Sequence, residues 1–382
     1  MRLSARVFCN TALILSLTAL SGCGLFSQAD TRYDPAPLTD YAAKLGVSTL
    51  WSAPIGSGGG YEFAAHVVGD NVYAATPSGA VTSLALSSGA VRWRADLGKL
   101  AAGVGSDGQT TAVVATDGMV IALDARGVEK WRSQASSSVS IPPVVGQGVV
   151  VVRSTDYRIQ AFDAASGEPR WNIQRPGPAL ALRTSIQMII VENVVISGLP
   201  SGRLLVIDAR TGTVRWEGSV SASQGASDLE RINDVVGAPL AAGPVLCGAS
   251  YQGRIVCFDV AQGGRALWEQ KFSSATGMTG DAQQIYAANQ RDVVYAFALS
   301  DGHEVWSQKA LLNRRLSTPA VIQDAVAVGD YQGYIHFLSR RDGHLLGRLQ
   351  VGGGPITSPL IATPQGVLVQ TSDGKLLLIG VR

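Results

Sequence analysis

All seven tryptophans of this 382-residue chain occupy the same place in a repeating unit, and no other feature limits the fold as much. They stand at positions 51, 93, 131, 171, 216, 268 and 306, with steps of 42, 38, 40, 45, 52 and 38 residues. The unit is clearest from Thr155 to Trp171. A hairpin turn at Asp156-Tyr157 leads into an apolar strand ending Ala161-Phe162-Asp163, then comes a turn through Ser166-Gly167, then Arg170-Trp171. It returns from Ser201 to Trp216. Short strands recurring with a period near 40 are the signature of a β-propeller.

A glycine precedes the tryptophan position by four residues in all seven internal units, at 89, 127, 167, 212, 264, 302 and 343; in the seventh unit Gly347 stands where tryptophan would be. Glycine supplies the positive φ that such turns need. In units two to five an aspartate lies seven to nine residues before the tryptophan (Asp124, Asp163, Asp208, Asp259), where its carboxylate can accept turn N–H groups. The large indole ring is expected to pack between neighbouring units. These are roles in the scaffold, and the repeated residues are not expected to carry activity. The last hairpin, Gly366 to Ile379, lacks a turn and tryptophan of its own, and Lys44 to Trp51 supplies them. The expected fold is therefore all-β: an eight-bladed β-propeller of four-stranded blades over 43–382, its last blade closed by strands from both termini so that no seam stays open.

Composition agrees and excludes other classes. Charged residues are 16% and glycines number 44, which suits many tight turns and does not suit a helical protein. The formal charge is +2, of which Arg2 and Arg6 lie in a segment expected to be removed. There is no basic stripe, so nucleic acid is not an expected partner. No catalytic set is visible, and His66, His303, His336 and His344 show no metal-ligand spacing. Neither cofactor nor metal is expected.

Residues 1–22 read as a signal peptide: two arginines, then an apolar run from Thr11 to Leu20 too short to span a bilayer comfortably. The sequence Leu20-Ser21-Gly22-Cys23 resembles a bacterial lipobox, which implies lipidation of Cys23 as the mature N-terminus; Gly24 after it implies release to the outer membrane. Residues 23–42 have no period and read as a flexible lipid tether. A lipid-anchored domain at the periplasmic face of the outer membrane follows as the expected location. Cys9 leaves with the signal, so Cys247 and Cys257 remain, flanking the turn Tyr251-Gln252-Gly253. A three-residue loop with Gly253 in the left-handed region sets Cys247 opposite Cys257; a two-residue loop sets Phe258 there instead. A disulfide and two buried thiols are both open.

The run Ala161 to Trp171 resembles the PQQ-like, or tryptophan-docking, repeat, shared by quinoprotein dehydrogenases and by the BamB family of outer-membrane assembly lipoproteins. Leu311 to His336 and Glu230 to Val235 look like segments of the BamB family, and the resemblance covers essentially the whole chain. It implies a non-enzymatic scaffold that binds the periplasmic domains of BamA and assists insertion of outer-membrane proteins, with unfolded outer-membrane proteins as further partners. The two long repeat steps hold the segments that bear on this. One contains Pro176 to Arg183, the other Ser219 to Pro239. By the resemblance, Leu180, Leu182 and Arg183 form one half of the partner contact, and the acidic loop with Glu230 and Asp234 the other. The family's second acidic residue is Val236 here, and Leu180-Ala181-Leu182 could also be a plain inner strand. Two alternatives are a periplasmic PQQ-dependent oxidoreductase and a glycan-binding propeller. The first is disfavoured because it needs adjacent cysteines and a longer chain.

Overall fold

The computed structural model describes residues 31–56, 58–352 and 354–382. The expected signal peptide and Cys23 lie outside the described residues. The chain divides into residues 1–35 and a compact unit from Ala36 to Arg382. That unit consists of eight four-stranded antiparallel sheets. Seven are continuous in sequence: blades 1 (66–96), 2 (100–134), 3 (144–174), 4 (188–219), 5 (235–272), 6 (278–308) and 7 (320–350). Blade 8 pairs Ile361–Thr363, Gly366–Gln370 and Lys375–Val381 with Val47–Pro54 as its outer strand, with Val47 opposite Val381. The termini therefore close the ring.

Burial follows strand position. The second strand of blade 3, Val149–Arg153, is buried throughout, because a neighbouring blade covers each face. The outer strand, Pro169–Gln174, alternates exposed and half-buried residues. There is no single core. Eight apolar clusters occur among the described residues, each joining two successive blades, and the cluster of Ile55, Val72, Leu84 and Leu378 joins blade 8 to blade 1.

The tryptophans and turn glycines form one device. Each indole lies on the turn glycine of the next blade, Trp51 on Gly89 and so on to Trp306 on Gly343; a Cβ on Gly89 or Gly127 would come within 2.5 Å of the ring. The glycines have φ between 70 and 81°. They are thus required twice, for the left-handed backbone and for ring contact. Six indole N–H groups donate to carbonyls of that next blade, such as Trp171 Nε1 to Ala209 O at 2.9 Å. The aspartates act as expected: Asp163 Oδ1 accepts from the N–H groups of Ala165 and Ser166, at 2.9 and 2.8 Å. At the junction of blades 7 and 8 both partners change. Gly347 holds the tryptophan position, and a Cβ there would find Val47 Cγ1 at 3.5 Å.

Residues 36–42, expected to belong to the flexible tether, are held against blade 7. Ala36 N donates to Leu312 O at 2.8 Å, and Arg314 Nη1 donates to Ala36 O at 2.9 Å. Arg348 donates to Thr39 O at 3.3 Å and stacks over Tyr41 and Tyr334. Arg314 is itself buried beside Asp330 and His336: Asp330 Oδ2 accepts from Arg314 Nε at 2.8 Å and lies 2.9 Å from His336 Nε2. The tether boundary moves because its anchors lie about 300 residues away in sequence, beyond any local pattern.

Candidate functional site

Successive blades are joined at the end that also carries the hairpins between second and third strands. The two longest connections there are 175–187, between blades 3 and 4, and 220–234, between blades 4 and 5. They account for the two long steps in the tryptophan spacing.

The first connection is irregular, and the inner strand of blade 4 begins only at Met188, so Leu180-Ala181-Leu182 is not a strand. It is nonetheless pinned. Gly177 lies flat on the Tyr157 ring, where any Cβ would overlap the ring, and Tyr157 donates its hydroxyl to Pro178 O at 2.8 Å. Leu182 N donates to Asp234 Oδ2 at 2.6 Å. Thr184 Oγ1 donates to Ala275 O on the approach to blade 6. Gly237 N donates to Ser185 O at 2.6 Å, and Gln187 N to Gly237 O at 3.1 Å. Between these points Leu180 (44% accessible), Ala181 and Arg183 are exposed, and Leu182 is half-buried.

The second connection is ordered by its own side chains. Glu230 Oε2 accepts from Ala226 N at 2.8 Å and Ser227 N at 3.0 Å, while Glu230 N donates to Ser227 Oγ at 3.3 Å. This is the reciprocal arrangement of a capping box. Arg231 Nε donates to Gly225 O at 3.1 Å, and Asn233 Nδ2 to Ser221 O at 3.2 Å. The loop so fixed holds Leu229 out, 67% accessible.

Two of the expected contact residues therefore have other geometry. Asp234, expected on the contact surface, is fully buried and holds the neighbouring loop through Leu182 N. Burial pushes its pKa up to about 6, against the opposing pull of the Leu182 N–H and the Arg153 charge. Glu230 is exposed, but its carboxylate is engaged by turn N–H groups of Ser227 and Ala226, which hold its pKa below the ordinary value. Val236 is buried in the inner strand of blade 5. Leu180, Leu182 and Arg183 stay together on one loop. Leu229 escaped the sequence reading, although Ser227-Asp228-Leu229-Glu230 has the spacing of a capping box just before it would matter. Among the described residues, Leu180 and Leu229 are the only large exposed apolar side chains in interblade connections of the propeller.

Cys247 and Cys257 face each other on adjacent strands of blade 5 and are joined as a disulfide. The hairpin is the three-residue form, with Ser250 Oγ accepting from Arg254 N at 2.9 Å. The left-handed residue is Gln252 (φ 48°), not Gly253. His303 and His344 are exposed turn residues beside Asp301 and Asp342. No group of three or more His, Cys, Asp or Glu suited to a metal ion occurs among the described residues.

A family model described as outer membrane protein assembly factor BamB matches residues 77–308. The chain is 57% identical to the outer membrane protein assembly factor BamB of Bordetella pertussis, covering 98% of this chain and 97% of that one. It is 36% identical to the protein of that name from Burkholderia pseudomallei, with the same coverage. The crystal structure of BamB from Moraxella catarrhalis superposes with a TM-score of 0.81 at 24% identity, covering 88% of this chain and all of that one, and so shares the fold.

Proposed function

The chain belongs to the BamB family of outer membrane protein assembly factors, and from that premise we propose that it binds the periplasmic domains of BamA through the paired loops 175–187 and 220–234. As a member of that family it is an assembly factor and not an enzyme, it works with the machinery that assembles outer-membrane proteins, and it is associated with the outer membrane. A lipid on Cys23 holding the propeller at the periplasmic face completes the proposal.

One observation supports the loop assignment above the others: the bond from Leu182 N to the buried Asp234 Oδ2 ties the two longest connections together. A loop already ordered loses little conformational freedom on binding, so more of the contact energy reaches affinity. The surface it offers is small and mixed. Leu180 and Leu229 contribute apolar burial, and Arg183 a guanidinium without an ion pair among the described residues. Arginine is enriched among the residues that dominate interface energetics, and apolar neighbours serve to exclude water from its contact. The acidic half works indirectly, as the support of the other loop.

Co-purification of the full chain with BamA tests this. Leu180→Ala with Arg183→Ala should keep the circular-dichroism spectrum and lose the complex, and Leu229→Ala alone should weaken it. Asp234→Ala should also weaken it, by releasing Leu182. Unchanged co-purification of the double variant would remove the site assignment, and no BamA with the unaltered chain would remove the partner.

A further inference from the structure

Two arginines are buried among the described residues, and they are satisfied differently. Arg314 has Asp330, Gln332 and Ala36 O around it. Arg153, at the end of the second strand of blade 3, donates only to Gly198 O and, at 3.5 Å, to Ser197 Oγ. No carboxylate lies within ion-pair distance of Arg153. The carboxylate that bears on it electrostatically, Asp234, spends Oδ2 on Leu182 N and leaves Oδ1 buried without a partner. Burial lowers the Arg153 pKa to about 10, so the group is still charged at neutral pH and its charge is incompletely compensated. Buried charges are ordinarily paired.

In front of Arg153 lies a cavity of about 230 Å³ that opens beside the contact loop. Tyr61, Tyr157, Leu182, Arg183 and Thr184 line it together with Arg153. Arg183, the exposed arginine of the contact loop, thus shares a cavity with the buried one. The nearby carboxylates are engaged elsewhere, Glu62 with the Tyr61 hydroxyl and Asp234 with Leu182 N. The Tyr157 hydroxyl is also spent, on Pro178 O, so the free donors of the cavity are its two guanidinium groups; they suit one planar anion, which arginine can bind through paired N–H groups.

We propose that this cavity receives a carboxylate side chain, Asp or Glu, of the protein that docks on the loop pair, with Arg183 at the mouth and Arg153 at the floor as its counter-charges. The inference rests on the partner reading above and specifies its chemistry: the apolar pair Leu180 and Leu229 brings the surfaces together, and the carboxylate fixes their register. The floor charge is in place before binding and supplies what the buried guanidinium lacks.

The test is a charge-reversal cycle with the full chain and the periplasmic region of BamA. Arg183→Gln should weaken binding about tenfold, which is ~1.4 kcal/mol, and reduce its salt dependence. Neutralising the acidic residues of the BamA region one at a time should reveal one position whose loss costs as much in the unaltered chain and little more in Arg183→Gln. Arg183→Glu should abolish binding, and Lys at that position of BamA should restore it. Arg153→Lys, checked for folding by its unfolding midpoint, keeps the charge without the fork and should weaken binding to a lesser degree. Binding by the unaltered chain with no acidic position coupled to Arg183 would overturn this inference and leave the docking loops standing. No binding by the unaltered chain would remove the partner reading, and this inference with it.

Discussion

Gly263 and Gly264 are neighbours in the third turn of blade 5, with φ of 73 and 77°, and they differ only in what surrounds them. A Cβ at Gly263 would meet nothing within 4 Å, whereas one at Gly264 would overlap Trp216. Gly263→Ala should therefore cost only the left-handed backbone, about 1 kcal/mol, and Gly264→Ala should cost about 2–4 kcal/mol as the indole is displaced. Urea unfolding of the two variants separates the contributions; equal losses would mean that the ring contact adds nothing. Asp234 offers a second measurement. Its folded pKa, about 6, stands above the ordinary 3.8, so the folded state binds the proton more tightly than the unfolded chain. The sign follows: the contribution of Asp234 to stability is fully present below pH 4 and is lost as pH rises to about 6, by at most about 1.4 kcal/mol per pH unit for one proton. Asp234→Asn keeps an oxygen acceptor for Leu182 N, and its stability should lack that decline between pH 4 and 6.

Blade 5 carries the disulfide, between residues opposite each other across one hairpin. The loop it closes is short, so its loss should cost about 2–3 kcal/mol, less than a long-range bridge. Protein purified without reductant should be lighter by two hydrogens before reduction, and Cys247→Ala with Cys257→Ala should lower the urea midpoint without abolishing the fold. Unaltered mass on reduction would show two thiols. The hairpin was readable from the sequence only up to two registers. Tyr251-Gln252-Gly253 contains a glycine, yet the left-handed residue is Gln252, and turn chemistry alone does not choose between them. The choice comes from outside the hairpin, where Tyr251 N donates to Asp234 O at 2.9 Å.

Ring closure is the property of the whole molecule: Val47–Pro54 pairs with Lys375–Val381 inside blade 8, next to the junction of blades 7 and 8 that lacks a docked tryptophan. There the segment from Ala36 to Gly46 lies along blade 7, with Lys44 and Leu45 N–H groups donating to Leu346 O at 2.8 and 3.1 Å. A chain beginning at residue 43 removes the Arg314 bond to Ala36 O and the Arg348 contacts to Thr39 and Tyr41. It should lose about 2–4 kcal/mol, since hydrogen bonds from charged donors contribute ~1.5–3 kcal/mol each. Binding through the loops of blades 3 to 5 should persist. Unchanged stability would mean that the strap only lies on the ring without stabilising it.

The scaffold and the positions of the two special loops were written locally. The tryptophan spacing, the glycine four residues before it and the unfinished last hairpin determine eight blades and their closure, because each repeat must bury its faces against identical neighbours. Breaks in that spacing located both long connections. What each side chain does within them was decided only by tertiary structure. Asp234 and Glu230 look alike as acidic loop residues, but one is buried under a neighbouring loop and the other caps its own. Arg153 ends an ordinary apolar strand in the sequence, Val149–Arg153, and becomes the floor of a cavity only when blade 4 and loop 175–187 fold over it. Periodicity reports which face of a strand is covered. It does not report which distant residue does the covering, and the charges and exposed leucines of the candidate site depend on that.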